Sequence, residues 1–318
     1  MPTPLFCGSS PPFPSLCTDV AAVPAPHAYR YLPAHLADRL DGLAVSLRKP
    51  QPGGHQGVHR SRAHGSSVEF ADYRAYAPGD PIHRIDWAVY ARSDRYLLRR
   101  TEDETRLRTH LLLDVSESMA YRRADAPSKL EMACGVAAAL AYILVRQGDG
   151  VQLHPVAAKP LLGPPPAAGL DGLRPLLAAL ENLTASGPGD PAKALHLFAE
   201  QQRPRGLVVV LSDLLCPAAE LIAGVVHLSQ AGHQVALVQI LDRDELSLPF
   251  SGVVEIAEME TGRRTVVEVD RLREAYATQV RQHLDVLRRG AASVAGSHHL
   301  VECGAEIHRA VGDLLVAL

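Results

Sequence analysis

The sequence predicts an α/β fold, a doubly wound and mostly parallel sheet. Three apolar runs carry the prediction, His110–Leu113, Leu207–Leu211 and Val235–Ile240. Each is short enough for a buried strand, each ends near an aspartate (Asp114, Asp213, Asp242), and helical segments separate them. Strands alternating with helices imply a parallel sheet covered on both faces, with ligands beyond the carboxyl ends of its strands.

The elements follow in chain order. Residues 1–27 hold seven prolines and almost no charge, and read as a disordered tail. Tyr31 to Leu47 has apolar positions at helical spacing, and a Gln-Pro-Gly-Gly loop ends it. Residues 28–108 form a polar N-terminal region of mixed helix and strand, with weak alternation near Tyr96. Residues 109–245 hold the alternating core. Lys129 to Gln147 is an Ala-rich helix apolar on most sides, Val151 to Val156 a strand, and Lys159 to Leu162 its short neighbour. Leu170–Leu183, Ala192–Gln202 and Ala218–Gln230 read as helices. Residues 246–318 form a C-terminal extension packed on the same body. In it Val253–Ile256 and Thr265–Val269 flank a Glu260-Thr261-Gly262 turn, Asp270 caps a helix running to Arg289, and a strand near His299–Glu302 precedes a last helix.

Composition excludes several classes. Hydrophobic residues make up 47%, enough for a sizeable core, and a formal net charge of −3 gives no global attraction to nucleic acid or anionic lipid. Five scattered cysteines with no C-x-x-C pair argue against a disulfide framework or zinc ribbon, and fit a reducing cytosol. No apolar run reaches the length of a membrane span, and the N-terminus lacks the basic and apolar regions of a signal peptide, so the expectation is a soluble cytoplasmic protein.

Asp114-Val115-Ser116-Glu117-Ser118 directly follows an apolar strand. One carboxylate and two hydroxyls at alternate positions of a turn can converge on one hard cation, and Asp213 adds a second negative group at the same sheet edge. Oxygen donors without His or Cys favour Mg²⁺, or Mn²⁺, over zinc. The competing reading is structural, because Asp and Ser after a strand also serve as turn residues and helix caps.

D-x-S-x-S with an Asp after a later strand resembles the metal-ion-dependent adhesion site (MIDAS) of von Willebrand factor A domains. The preceding segment is more specific. Glu69-Phe-Ala-Asp-Tyr-Arg74, Tyr76-Ala-Pro-Gly-Asp80, Arg84-Ile-Asp-Trp87, Ala91-Arg92, Tyr96-Leu-Leu-Arg-Arg100 and Glu102-Asp-Glu104 look like the signature of the "domain of unknown function 58" (DUF58) family. The resemblance runs from about Tyr31 to the C-terminus and implies a von Willebrand factor A-like fold. It also implies an adaptor that grips a client protein or a MoxR-type AAA+ ATPase; separately, no catalytic motif is found in the sequence. Complete adhesion sites carry a Thr ligand in the loop before the second central helix. Gly189 stands there, so Thr184, Ser186, Asp190 or water would have to supply the missing oxygen, the alternative being a degenerate site that binds without metal.

In the signature segment Arg74, Arg84, Asp86, Trp87 and Arg92 are candidates for a partner-docking face. Structural ion pairs, with Trp87 anchoring the region to the main domain, are the alternative. Two other functions compete. A Mg²⁺-dependent phosphoryl-transfer enzyme of the haloacid dehalogenase type needs a second Asp where this chain has Ser116. Nucleic-acid binding would use residues 58–108, whose arginines only slightly outnumber their acidic residues. There is no P-loop and no G-x-S-x-G elbow. His55, His59 and His64 read as a solvated cluster, and Cys134 and Cys216 as core residues.

Overall fold

A computed structural model describes residues 29–45, 70–76, 87–101, 107–157, 163–201 and 203–318. The proline-rich tail, the three loop histidines and the expected strand at Lys159–Leu162 lie outside them.

Helix α1 (Ala34–Leu40) is shorter than the helical spacing predicts. Strand β1 (Phe70–Ala75), helix α2 (Trp87–Ser93) and strand β2 (Leu97–Thr101) follow, with β1 and β2 pairing antiparallel. The main body begins at β3 (Arg108–Asp114), then α3 (Lys129–Arg146), β4 (Gly150–Val156), β5 (Ala167–Ala168), α4 (Gly169–Glu181) and α5 (Pro191–Glu200). It continues through β6 (Leu207–Ser212), α6 (Ala218–Gln230), β7 (Gln234–Leu241), α7 (Arg243–Ser247) and a hairpin of β8 (Val253–Ala257) and β9 (Arg264–Glu268). Helix α8 (Val269–Ser293), β10 (Ser297–Glu302) and α9 (Ile307–Ala317) complete it.

The sheet order is β10-β7-β6-β3-β4-β5, parallel except for β5. This is the doubly wound, mostly parallel sheet the sequence predicts. Residues Leu111, Leu113, Val209 and Leu211 face one layer with α3, α4 and α9. Leu112, Val208 and Val210 face the other, with α5, α6 and α8. Strands buried on both faces need continuous apolar runs, which is why β6 reads Leu-Val-Val-Val-Leu. Helix α3 is buried nearly all round, and a reciprocal Ser128–Glu131 capping box fixes its start.

The C-terminal extension joins the main body through β10, the sheet's edge strand, paired along its length with β7. One expectation needs revision. Asp270 does not cap α8. Its carboxylate accepts from the Gly252 backbone and from Arg273, clamping the base of the hairpin, and Glu268 stands at the cap position.

Candidate functional site

Strand β3 delivers Asp114 to the sheet's carboxyl edge almost fully buried. Its Oδ1 accepts from Ser116 N at 2.9 Å and its Oδ2 from the Ser212 hydroxyl at 2.6 Å. Burial raises its pKa and the neighbouring Asp213 adds to the rise, while these two hydrogen bonds oppose it. The chain then turns through a short 3-10 segment, Glu117–Ala120, which leaves the Ser116 and Ser118 hydroxyl oxygens 3.0 Å apart. Asp114, Ser116, Ser118 and Asp213 all line one cleft of about 420 Å³.

The loop before α5 is stitched onto this turn. Ser186 N donates to Val115 O at 2.8 Å, and Glu117 N to Gly187 O at 2.8 Å. Gly189 follows, and a Cβ placed there would lie 2.5 Å from Ser116 Cβ and 2.9 Å from Ser116 Oγ. The Ser116 side chain thus takes the space a threonine side chain at position 189 would need. None of the three substitutes lines the cleft. Thr184 and Ser186 are exposed, and Asp190 caps α5, accepting from Lys193 N at 2.9 Å.

Lys129, at the start of α3, was not singled out by sequence. It is 1% exposed, and its ammonium donates to Asp213 Oδ2 at 2.8 Å and Glu245 Oε1 at 2.6 Å. Burial opposes its charge, but the two carboxylates outweigh that and hold its pKa above the ordinary value. Asp213 is therefore the counter-ion of a buried lysine, with its other oxygen accepting from Leu215 N at 3.3 Å. Asp242 caps the short α7, which turns Asp244 and Glu245 toward the cleft, where Tyr121 donates its hydroxyl to Asp244 at 2.9 Å.

The hairpin turn after β8 closes the far side. Glu260 Oε1 accepts from Gly189 N at 3.4 Å. Its pKa is raised by burial and by the nearby Asp114, Asp213 and Glu258, against the Gly189 hydrogen bond.

A hard divalent ion fits this arrangement in part. Asp114, Ser116 and Ser118 bring one carboxylate and two hydroxyls together, a small charge count that suits an ion keeping several waters. Asp213 is already engaged by Lys129. Among the described residues, no group of three or more His, Cys, Asp or Glu side chains is arranged to hold a metal ion, so the serine hydroxyls would have to contribute.

The candidate docking residues fall elsewhere. Arg74 lies on β1, and Arg92 is exposed on α2. Arg84 and Asp86 lie outside the described residues. Trp87 is 56% exposed, its ring edge-on to Tyr90 at 6.1 Å, so it covers its own helix and does not serve as the buried anchor the sequence suggested. Cys134 and Cys216 are buried and half-buried, with thiols pushed up to about 12 by burial, which keeps both protonated and unreactive.

Fold and edge together define the class, a von Willebrand factor A-like α/β domain with its D-x-S-x-S turn at the carboxyl end of a central parallel strand. The chain belongs to the family described as "Protein of unknown function DUF58", whose model matches residues 72–286. Uncharacterised proteins of Mycobacterium bovis and Mycobacterium tuberculosis are 28% identical to it over 260 residues, 80% of this chain and 80% of theirs. Among solved structures, an aerotolerance-related membrane protein from Bacteroides fragilis matches 67% of this chain and 100% of its own, at 19% identity and TM-score 0.43. BatB from Bacteroides thetaiotaomicron matches 66% of this chain and 97% of its own, at 16% identity and TM-score 0.41. In this chain, no helix among the described residues is long and apolar enough to cross a membrane.

Proposed function

We propose that this protein is a protein-interaction module whose docking site is the cleft at the carboxyl edge of the sheet. The carrying observation is that the Asp114, Ser116 and Ser118 turn and Asp213, far from it in sequence, line one cleft together. Asp114, Ser116 and Ser118 would hold Mg²⁺, or Mn²⁺ in its place. The ion would supply an electrophilic centre for an oxygen ligand of the partner. Ser212 and the Ser116 amide orient the Asp114 carboxylate, and Lys129 holds Asp213 in place.

The partner we propose is a MoxR-type AAA+ ATPase or a client that such an ATPase remodels, with this chain as the cytoplasmic adaptor between them. No catalytic role is assigned. Ser116 stands where a haloacid dehalogenase-type site needs its second aspartate, and Asp213 is bound to Lys129. The test is co-purification of a MoxR-type ATPase from the same organism with the tagged full chain. Wild type should retain the ATPase in Mg²⁺ and lose it in chelator, and Asp114→Ala should lose it in both. Retention by folded Asp114→Ala would refute the site.

A further inference from the structure

The cleft carries more charge than its own side chains balance. Six carboxylates line it, from Asp114, Asp213, Asp244, Glu245, Glu258 and Glu260, against the single ammonium of Lys129. That ammonium is spent on Asp213 and Glu245. Even a divalent ion at Asp114 would leave the remainder negative. Nearby arginines are directed elsewhere, Arg123 to Asp125 and Arg264 to Glu255.

The carboxylates are not alone at the hairpin end. Phe250, Ile256 and Met259 line the same cleft and are 40%, 43% and 38% exposed. Large apolar side chains left open beside Glu258 and Glu260 form a surface that is apolar along its walls and anionic at its end. A long side chain with an aliphatic stem and a cationic head matches both features. A guanidinium has the further advantage of a planar fork that two carboxylates can share.

We propose that the cleft seats an arginine of the protein partner, its guanidinium between Glu258 and Glu260 and its stem along Phe250, Ile256 and Met259. The inference rests on the docking role given to this cleft above, but not on the metal. It assigns the partner segment a basic residue flanked by apolar ones.

Met259 makes the test direct, because it is one of four methionines in the chain and the one lining the cleft. The full chain, carbon-13 labelled at its methionine methyls and kept in EDTA, is titrated with end-blocked Leu-Arg-Leu, Leu-Gln-Leu and Leu-Glu-Leu peptides. The expected result is a saturable Met259 shift from the arginine peptide alone, weakened by salt. The Glu258→Gln/Glu260→Gln double variant should bind that peptide about five-fold or more weakly, the scale of a lost partly exposed ion pair. Glu258 is exposed and Glu260 half-buried, and an unchanged spectrum of the buried Met132 certifies the variant's fold. No Met259 shift, an equal shift from the glutamine or glutamate peptide, or full retention by the double variant would overturn the proposal. Mg²⁺ is then added to the same samples and read at Met119, next to Ser118. A response there without one at Met259 rejects the arginine seat alone, and the reverse rejects the metal alone.

Discussion

The two ends of the central strands bury ionisable groups in opposite ways. At the amino end, His110 of β3, His154 of β4 and His233 before β7 surround Phe198, with His110 Nδ1 and His154 Nε2 3.2 Å apart. Burial lowers the pKa of His110 to about 4 and of His154 to about 3, so these rings stay neutral and pack as aromatics. At the carboxyl end, Lys129 is at least as deeply buried yet stays charged, because two carboxylates reach its ammonium. Burial removes charge unless partners are built in, and only the carboxyl edge has them. The histidine end is packing, whereas the carboxyl edge is an arrangement of charge maintained against its desolvation cost.

The comparison can be broken first at Lys129. Lys129→Ala leaves Asp213 and Glu245 facing each other without a cation, and should destabilise the protein by about 3–5 kcal/mol, the usual cost of breaking a buried ion pair. Urea unfolding measures it. A loss below about 1 kcal/mol, the range of exposed pairs, would show that the charge at this edge is not held as described.

A smaller effect sharpens the other end. The unfolded chain takes up protons on its histidines as pH falls below about 6.5, while the folded rings resist until about 4 for His110 and His298 and about 3 for His154. The stability these rings contribute is therefore complete above pH 6.5 and declines as pH falls toward 4. Between pH 7 and pH 5 the loss should be about 2 kcal/mol for each such buried imidazole. His154→Phe, which keeps an aromatic ring against Phe198, should flatten the unfolding profile by about that amount. An unaltered pH slope would mean that the histidine end is solvated.

Most of the fold was legible because its strands are buried on both faces. Continuous apolar runs such as Leu207–Leu211 admit few other readings, and the aspartates that end them located the edge. Helix α7 was missed, as five residues are too few to show a period. The site was legible at Asp114, Ser116, Ser118 and Asp213, which lie in contiguous motifs at strand ends. It was not legible at Glu245 and Glu260, which reach the cleft only through α7 and the hairpin. Lys129 was overlooked because lysine is ordinarily exposed. One local signal was available, since a lysine in the first turn of a capped helix opposes the helix dipole and calls for a carboxylate partner. By sequence Gly189 reads as a missing ligand, whereas in the fold its lack of a side chain lets the loop close against Ser116.

The most direct measurement is calorimetric titration of Mg²⁺ into the wild-type chain and into Asp114→Ala, with circular dichroism confirming that both are folded. The account predicts saturable one-site binding to the wild type and none to the variant. Equal heats from the two proteins, or none from the wild type, would contradict the assignment of a cation to the Asp114–Ser116–Ser118 turn.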